Sequence, residues 1–276
     1  MSVSSTKPHF KNINRINSMA SNQAGFTIVE LMIAGLLGVI LTAGVIQLFI
    51  GSNQNYSLQE ELANIQEDGR FAMIFLKNEI QQGGWVDDFS DDIPEAVDII
   101  NSSDGATDTI LISYKVLPDG IANRDCNGSV VADGLIVNQF YVGGASGEEL
   151  LCLGNGGGAA QPLIDQVKGF QVLYGVETSN ACPDGAVNQY MTRDQVVATG
   201  NLLVVSVRLA LLIASEGDVT STAESRSHDL LDTQLNTNDK LAYRTFQQTI
   251  FMPNAIYSTT GNPAMLIECT ANLVGA

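Results

Sequence analysis

One ionisable side chain, Glu30, interrupts the apolar run Phe26–Ile50 (FTIVELMIAGLLGVILTAGVIQLFI). On insertion scales a carboxylate near the centre of such a segment costs on the order of 2.5–3.5 kcal/mol, and somewhat less near an end. A cation at ~4 Å would return on the order of 4 kcal/mol at an effective dielectric of 20. Glu30 is therefore a candidate for charge pairing, and snorkelling to lipid headgroups is the plainer alternative. Other chemistry is sparse. His9 and His228 are too few for a His-based zinc site or a Ser-His-Asp triad, and His228 lies in a Ser/Thr/Asp-rich stretch, Thr220–Asp239, that reads as a long loop. Paired carboxylates at credible spacing, a metal motif and a nucleophile motif are all missing from the sequence, so no enzyme, no metal and no cofactor is expected. Asp87, Asp88, Asp91, Asp92, Glu95 and Asp98 could offer oxygen ligands to calcium, but they lack a D-x-D-x-D-G loop and read as a solvated face. Gly154-Asn155-Gly156-Gly157-Gly158 lacks the Lys-Ser/Thr of a phosphate-binding loop and reads as a flexible turn.

The elements that carry these residues follow from charge and periodicity. The chain has 276 residues, 45% hydrophobic and 16% charged, with a net charge of −17. That length supports one large domain or two modest ones with a real core. The acidic balance argues against non-specific nucleic-acid binding and against a polybasic membrane-surface protein. Lys7, Lys11 and Arg15 precede the apolar run, and the first charges after it are Glu60 and Glu61. As a helix, Phe26–Ile50 would be roughly 37 Å long, enough to cross a hydrocarbon core. The positive-inside rule then keeps the N-terminus cytoplasmic and sends the remainder outward. A secretory signal fits less well, because the run is long and no A-x-A-like site closes it.

Past Gly51 the pattern turns amphipathic. Leu58, Leu62, Ile65, Gly69, Ala72, Leu76 and Ile80 alternate spacings of four and three, which is one helix face. Gly83-Gly84 stop the pattern, so one helix is expected from about Phe26 to Gln82. Strand patterns follow at Ile110–Val116, Leu135–Val142, Glu149–Leu153, Val167–Val176 and Leu202–Ala214, with a weaker one at Arg244–Phe251. Residues 256–276 carry no clear pattern.

Cys126, Cys152, Cys182 and Cys269 all lie beyond the apolar run and show no C-x-x-C spacing. An even count in an exported domain reads as two disulfides with three connectivities. Cys126 and Cys152 bracket a Gly-rich hairpin-like region, which favours 126–152 and 182–269. Each would contribute roughly 3–5 kcal/mol in the chain-entropy picture. Free buried thiols are the alternative.

Gly25-Phe26-Thr27-Ile28-Val29-Glu30-Leu31, with a basic leader before it and an apolar helix after it, closely resembles the processing site of type IV prepilins. The resemblance implies cleavage between Gly25 and Phe26 by a prepilin peptidase and N-methylation of the new Phe26 amine. It also gives Glu30 the role of a carboxylate that sets register against a neighbouring subunit. The leader of residues 1–25 is long, and a start at Met19 would leave one without Lys or Arg, which favours Met1. Three further segments resemble the PilW family of minor pilins: Gly69-Arg70-Phe71-Ala72-Met73 leading through Leu76–Gln82 to Gly83-Gly84-Trp85, Lys168–Val176, and Val204–Leu212. Without that resemblance the first of these is a helix terminus with Trp85 as a core aromatic.

The resemblance implies an α+β, type IV pilin-like fold: a long N-terminal α-helix, membrane-spanning in its first half, packed on an antiparallel β-sheet domain. Residues 1–25 would be the leader, 26–50 the transmembrane or filament-core helix, 51–84 its amphipathic continuation, and 85–276 a disulfide-containing β-rich domain. It further implies a minor pilin that primes pilus assembly or joins a tip complex. The alternative is a J-type minor pseudopilin of a type II secretion system. The implied partners are other minor pilins and the major pilin, the prepilin peptidase, an inner-membrane assembly platform and a tip adhesin, with no nucleic acid. The implied location is the inner membrane with a periplasmic C-terminal domain, and later the pilus at the cell surface.

Overall fold

The computed structural model describes residues 25–86, 94–100, 102–116, 123–178, 185–200 and 202–255. The chain divides into two compact units, Met1–Gly51 and Ser52–Ala276. A single helix, α1 (Ile28–Gln82), belongs to both. From Gly25 to Ile50 every residue is exposed, and the segment is long and apolar enough to cross a membrane.

In the second unit α1 buries Ile65, Gly69, Ala72, Met73, Leu76 and Ile80, the face expected from the sequence. Leu58 and Leu62 are partly buried against the same core. The helix ends where glycine is required. Gly84 takes φ +74, and a Cβ there would meet Ala96 Cβ and the Asn254 carbonyl at 3.2 Å. Its N–H donates to the Ser113 carbonyl at 2.8 Å, tying the helix end to a strand. Trp85, in contrast to the core aromatic read from the sequence, is 40% exposed, and Val86 is buried instead. The turn at Gly83-Gly84 sends the indole outward and the following valine in.

Two antiparallel sheets share the core with this helix. The first has the order β1 (Thr109–Lys115), β2 (Leu135–Gly143), β3 (Glu149–Gly154), β4 (Gln161–Ile164). The second contains β5 (Val167–Glu177), β6 (Gln189–Met191), β7 (Leu203–Ala214) and β10 (Tyr243–Phe251), in the order β10-β7-β5-β6. Ile110, Ile112, Phe140, Leu150 and Cys152 from the first sheet meet Phe170, Val172, Val207, Leu209, Leu211 and Ile250 from the second, around the α1 stripe. The five strand patterns and the weaker Arg244–Phe251 pattern all correspond to strands of these sheets.

Five elements lie outside the sequence patterns: β4, β6, a short helix and the two strands of a hairpin. The short strands β4 and β6 carry too little alternation to be recognised, and β4 contains Pro162. The seven-residue helix α2 (Arg193–Thr199) is defined by its caps. The Thr192 side chain accepts from the Gln195 N–H, and Gln195 reciprocates onto the Thr192 N–H.

The largest correction concerns Thr220–Asp239, which is not a long loop. It holds a β-hairpin of β8 (Glu224–Leu230) and β9 (Thr233–Asp239), paired in register from Glu224↔Asp239 to Leu230↔Thr233. Its strands are polar along most of their length, so hydrophobic alternation could not mark them. Main-chain pairing and a few leucines hold them instead: Leu230, Leu231 and Leu235 pack with Tyr243 on Ala210 and Leu212. This explains the uninterrupted apolar run of β7. Leu209, Leu211 and Ile213 face the helix core, while Ala210 and Leu212 face the hairpin.

Candidate functional site at the helix N-terminus

Gly25, Phe26 and Thr27 precede the first helical residue, Ile28, in non-helical backbone, and all three are exposed. Thr27 caps the helix. Its Oγ1 accepts the Glu30 N–H at 3.2 Å, and its carbonyl accepts the Leu31 N–H at 3.1 Å. Glu30 thus occupies the third helical position, within the first turn, where the positive end of the macrodipole favours a carboxylate. Sequence reading singled out Glu30 and overlooked Thr27, although the pair has the T-x-x-E spacing of a helix start.

Around this turn the surface is apolar throughout. Phe26 is 82% exposed, and Ile28, Val29, Leu31, Met32 and Ile33 are likewise open. A Cβ built on Gly35, Gly38, Gly44 or Gly51 would touch nothing within 4 Å. Thr42, the polar side chain midway along, donates to the Gly38 carbonyl at 2.7 Å and so leaves its hydroxyl hydrogen satisfied inside the helix. Chemically, this region offers an accessible Gly25–Phe26 peptide bond, one carboxylate and an exposed apolar helix surface.

The disulfide between Cys126 and Cys152 is present, with Cα atoms 6.3 Å apart, and it joins the loop before β2 to β3. Cys182 and Cys269, and with them the proposed second pairing, lie outside the described residues, as do Asp87, Asp88, Asp91 and Asp92. Buried polar groups hold the bridged loop to the helix. Asn138 donates to Glu79 Oε2 at 2.7 Å, and its Oδ1 accepts the Cys126 N–H at 3.0 Å. Burial pushes the Glu79 carboxyl up, and the Asn138 hydrogen bond opposes that shift. Asp125 Oδ1 accepts the Asn127 and Ser129 N–H groups, and its Oδ2 accepts that of Gly156 at 2.8 Å. That carboxylate is thus a structural anchor between two loops.

A second anchoring carboxylate is Asp108, which accepts the Val172 N–H at 2.8 Å and the Gly105 N–H at 3.0 Å. Burial raises its pKa to about 6 against those two hydrogen bonds, with Asp104 and Asp232 adding to the rise. His228 sits in the hairpin, its Nε2 3.2 Å from Thr237 Oγ1 and its ring beside Tyr243. Among the described residues no group of three His, Cys, Asp or Glu is placed to hold a metal.

One long N-terminal helix followed by antiparallel sheets is the α+β arrangement expected of a type IV pilin. Residues 139–254, from within β2 to just past β10, match the model of the PilW family, described as type IV pilus-assembly protein W. The PilW resemblance therefore holds over that stretch, which contains both the Lys168–Val176 and Val204–Leu212 segments. No curated protein matches the chain. Among solved structures, a type IV-like pilin from Thermus thermophilus is similar over 72% of this chain and 97% of its own, at 15% identity and a TM-score of 0.43.

Proposed function

We propose that this chain is a minor type IV pilin that acts in priming pilus assembly or within a tip complex. The observation that carries the reading is an apolar helix left uncovered by any described part of the chain, opened by Thr27 and carrying one carboxylate, Glu30, in its first turn. The PilW match over residues 139–254 supports it independently. In this reading residues 1–25 are a leader, cleaved before Phe26 by a prepilin peptidase, and the new Phe26 amine is methylated. Residues 26–50 anchor the chain in the inner membrane with the β-rich domain in the periplasm. Assembly on a membrane platform then moves the helix into a bundle with the major pilin and other minor pilins, with a tip adhesin as a further partner.

The electrostatics suit that path. A free α-amine at Phe26 is a cation placed at the positive end of its own helix, which the macrodipole disfavours. A carboxylate at ~4 Å would stabilise it by on the order of 4 kcal/mol at an effective dielectric of 20. When the carboxylate belongs to a neighbouring helix, that attraction fixes the axial register between subunits. Intact mass and N-terminal sequencing of the protein from its native membrane test the reading. A chain beginning at N-methyl-Phe26 is expected. One that begins at Met1, or is cut after residue 50, overturns it.

A further inference from the structure

Strand β10 lies at one end of its sheet, and its ladder to β7 runs without a register shift from Tyr243↔Ala214 to Phe251↔Ser206. Ser215 N–H donates to the Ala242 carbonyl at 2.8 Å, and Met252 N–H donates to the Val205 carbonyl at 2.9 Å. These two bonds bracket the ladder and fix its phase. The even-numbered residues turn their main-chain groups toward β7, so Thr245, Gln247, Thr249 and Phe251 turn theirs to the open side. Among the described residues no strand pairs with that side. Within β10 itself there is no proline or lysine of the kind that blunts an edge.

Beside this edge runs a groove of about 330 Å³ lined by Arg70, Met73 and Ile74 of α1 and by Phe246, Gln247 and Gln248 of β10. A Cβ at Gly69 would collide with the Phe246 ring, which therefore packs directly against the helix there. Ile74 is 53% exposed on one side and Phe251 is 47% exposed at the strand end.

The cations are distributed unevenly. Lys168, Arg193, Arg226 and Lys240 each have a carboxylate partner. Among the described residues Arg70, Lys77, Arg124, Arg208 and Arg244 have no carboxylate within salt-bridge distance; of these, Arg70 lines the groove, Arg244 belongs to β10 and Arg208 lies on the neighbouring strand. Lys77 follows Arg70 by seven positions on the same helix flank. Arg208 lies over the Tyr190 ring at 3.8 Å and donates to Thr249 Oγ1 at 3.2 Å. Arg244 sits over Phe246 at 5.7 Å. In a chain of net charge −17, three of these five cations, Arg70, Arg208 and Arg244, lie in or beside β10.

We infer that the open edge of β10, with the Arg70–Ile74 groove, docks an extended acidic segment of a partner protein by strand addition. Main-chain bonds to the odd-numbered residues would provide the pairing; on the helix-facing side carboxylates would meet Arg70 and Arg244 at the groove, and the alternate side chains would lie on the other face of the sheet. The inference goes beyond the pilin reading and does not depend on processing at Gly25. The test is hydrogen exchange on the detergent-solubilised full chain, alone and with a short peptide alternating glutamate with valine or its lysine-valine counterpart. The glutamate peptide is expected to slow exchange at Thr245, Gln247, Thr249 and Phe251 about tenfold at low salt, an effect lost at ~500 mM salt, and the lysine peptide to leave it unchanged. Gln247→Pro removes only an outward N–H and should abolish the slowing while melting like wild type. Should that variant not fold, Arg70→Glu combined with Arg244→Glu makes the same test through charge. Equal slowing by both peptides, or none by either, overturns the inference. So does slow exchange at these amides in the dilute chain alone, which would mean that the chain's own residues cover the edge. Slowing that appears on concentrating the chain without peptide would assign the edge to a second copy and overturn it too.

Discussion

The two halves of α1 obey the same propensity and meet different surroundings. From Ile28 to Ile50 the helix is apolar on all sides and nothing in the described chain covers it; from Leu58 to Ile80 it is amphipathic, and the chain's own sheets bury one stripe. The glycines register the same contrast. Gly35, Gly38 and Gly44 face open space, whereas Gly69 is pressed against the Phe246 ring. A glycine with a neighbour in the chain is explained by the chain. The others become intelligible only against lipid or a second helix. The second half therefore reports on folding, and the first half on what the protein meets after it has folded.

That contrast can be broken at five points. Gly25→Ser is expected to abolish maturation outright, leaving a precursor-sized band on a gel with the β-rich domain intact; a mature-sized product would place processing elsewhere. Glu30→Ala should be cleaved and folded yet fail to enter its complex, as read by recovery in sheared pilus fractions. Wild-type recovery would remove the electrostatic register.

Paired core substitutions sharpen the comparison directly. Leu76→Ala, in the buried stripe, should lower unfolding stability by about 2–5 kcal/mol. Leu36→Ala should alter it by less than about 0.5 kcal/mol, since its side chain touches nothing that unfolds. Equal effects in chemical denaturation would mean that the first half is also packed within the chain. Reducing the Cys126–Cys152 bridge should cost about 3 kcal/mol, all of it in the second unit. Unchanged melting under thiol reductant would show that Asn138 and Asp125 hold the loop without it.

The smallest effect is set by pH. The folded pKa of Asp108, about 6, lies above its ordinary 3.8, so the native state holds the extra proton between those values. Its contribution therefore favours folding at low pH and is lost as pH rises from about 4 to about 6, by at most about 3 kcal/mol. The gap between melting temperatures at pH 5 and pH 7 should shrink in Asp108→Asn; an unchanged gap would mean that other carboxylates set the slope.

Legibility in the sequence followed the strength of the local signal. The apolar run, the amphipathic stripe and its stop at Gly83-Gly84 were readable because helical periodicity is recorded in consecutive residues. Strands such as β2 were readable because a half-buried strand alternates, and β5 and β7 because a strand buried on both faces is a nearly continuous apolar run. The β8–β9 hairpin was not, since its strands owe their place to main-chain pairing and to a few leucines resting on the back of β7. For the N-terminal site, Gly25, Phe26 and Glu30 stood out by type and order. Thr27 was passed over because a hydroxyl in an apolar run looks incidental until its bond to the Glu30 N–H is seen.

By itself the sequence determined the helix, its change of character after Gly51, the sheet strands of strong pattern and a carboxylate placed where only a cation or the helix dipole could favour it. These are properties of near neighbours along the chain. Only the tertiary structure decided that Asn138 would bridge Glu79 and the Cys126 loop, that Phe246 would lie on Gly69, and that β10 would end its sheet with its odd-numbered main-chain groups turned outward. Each of those depends on which distant residues pack side by side, and packing among distant residues leaves no period in the sequence to read.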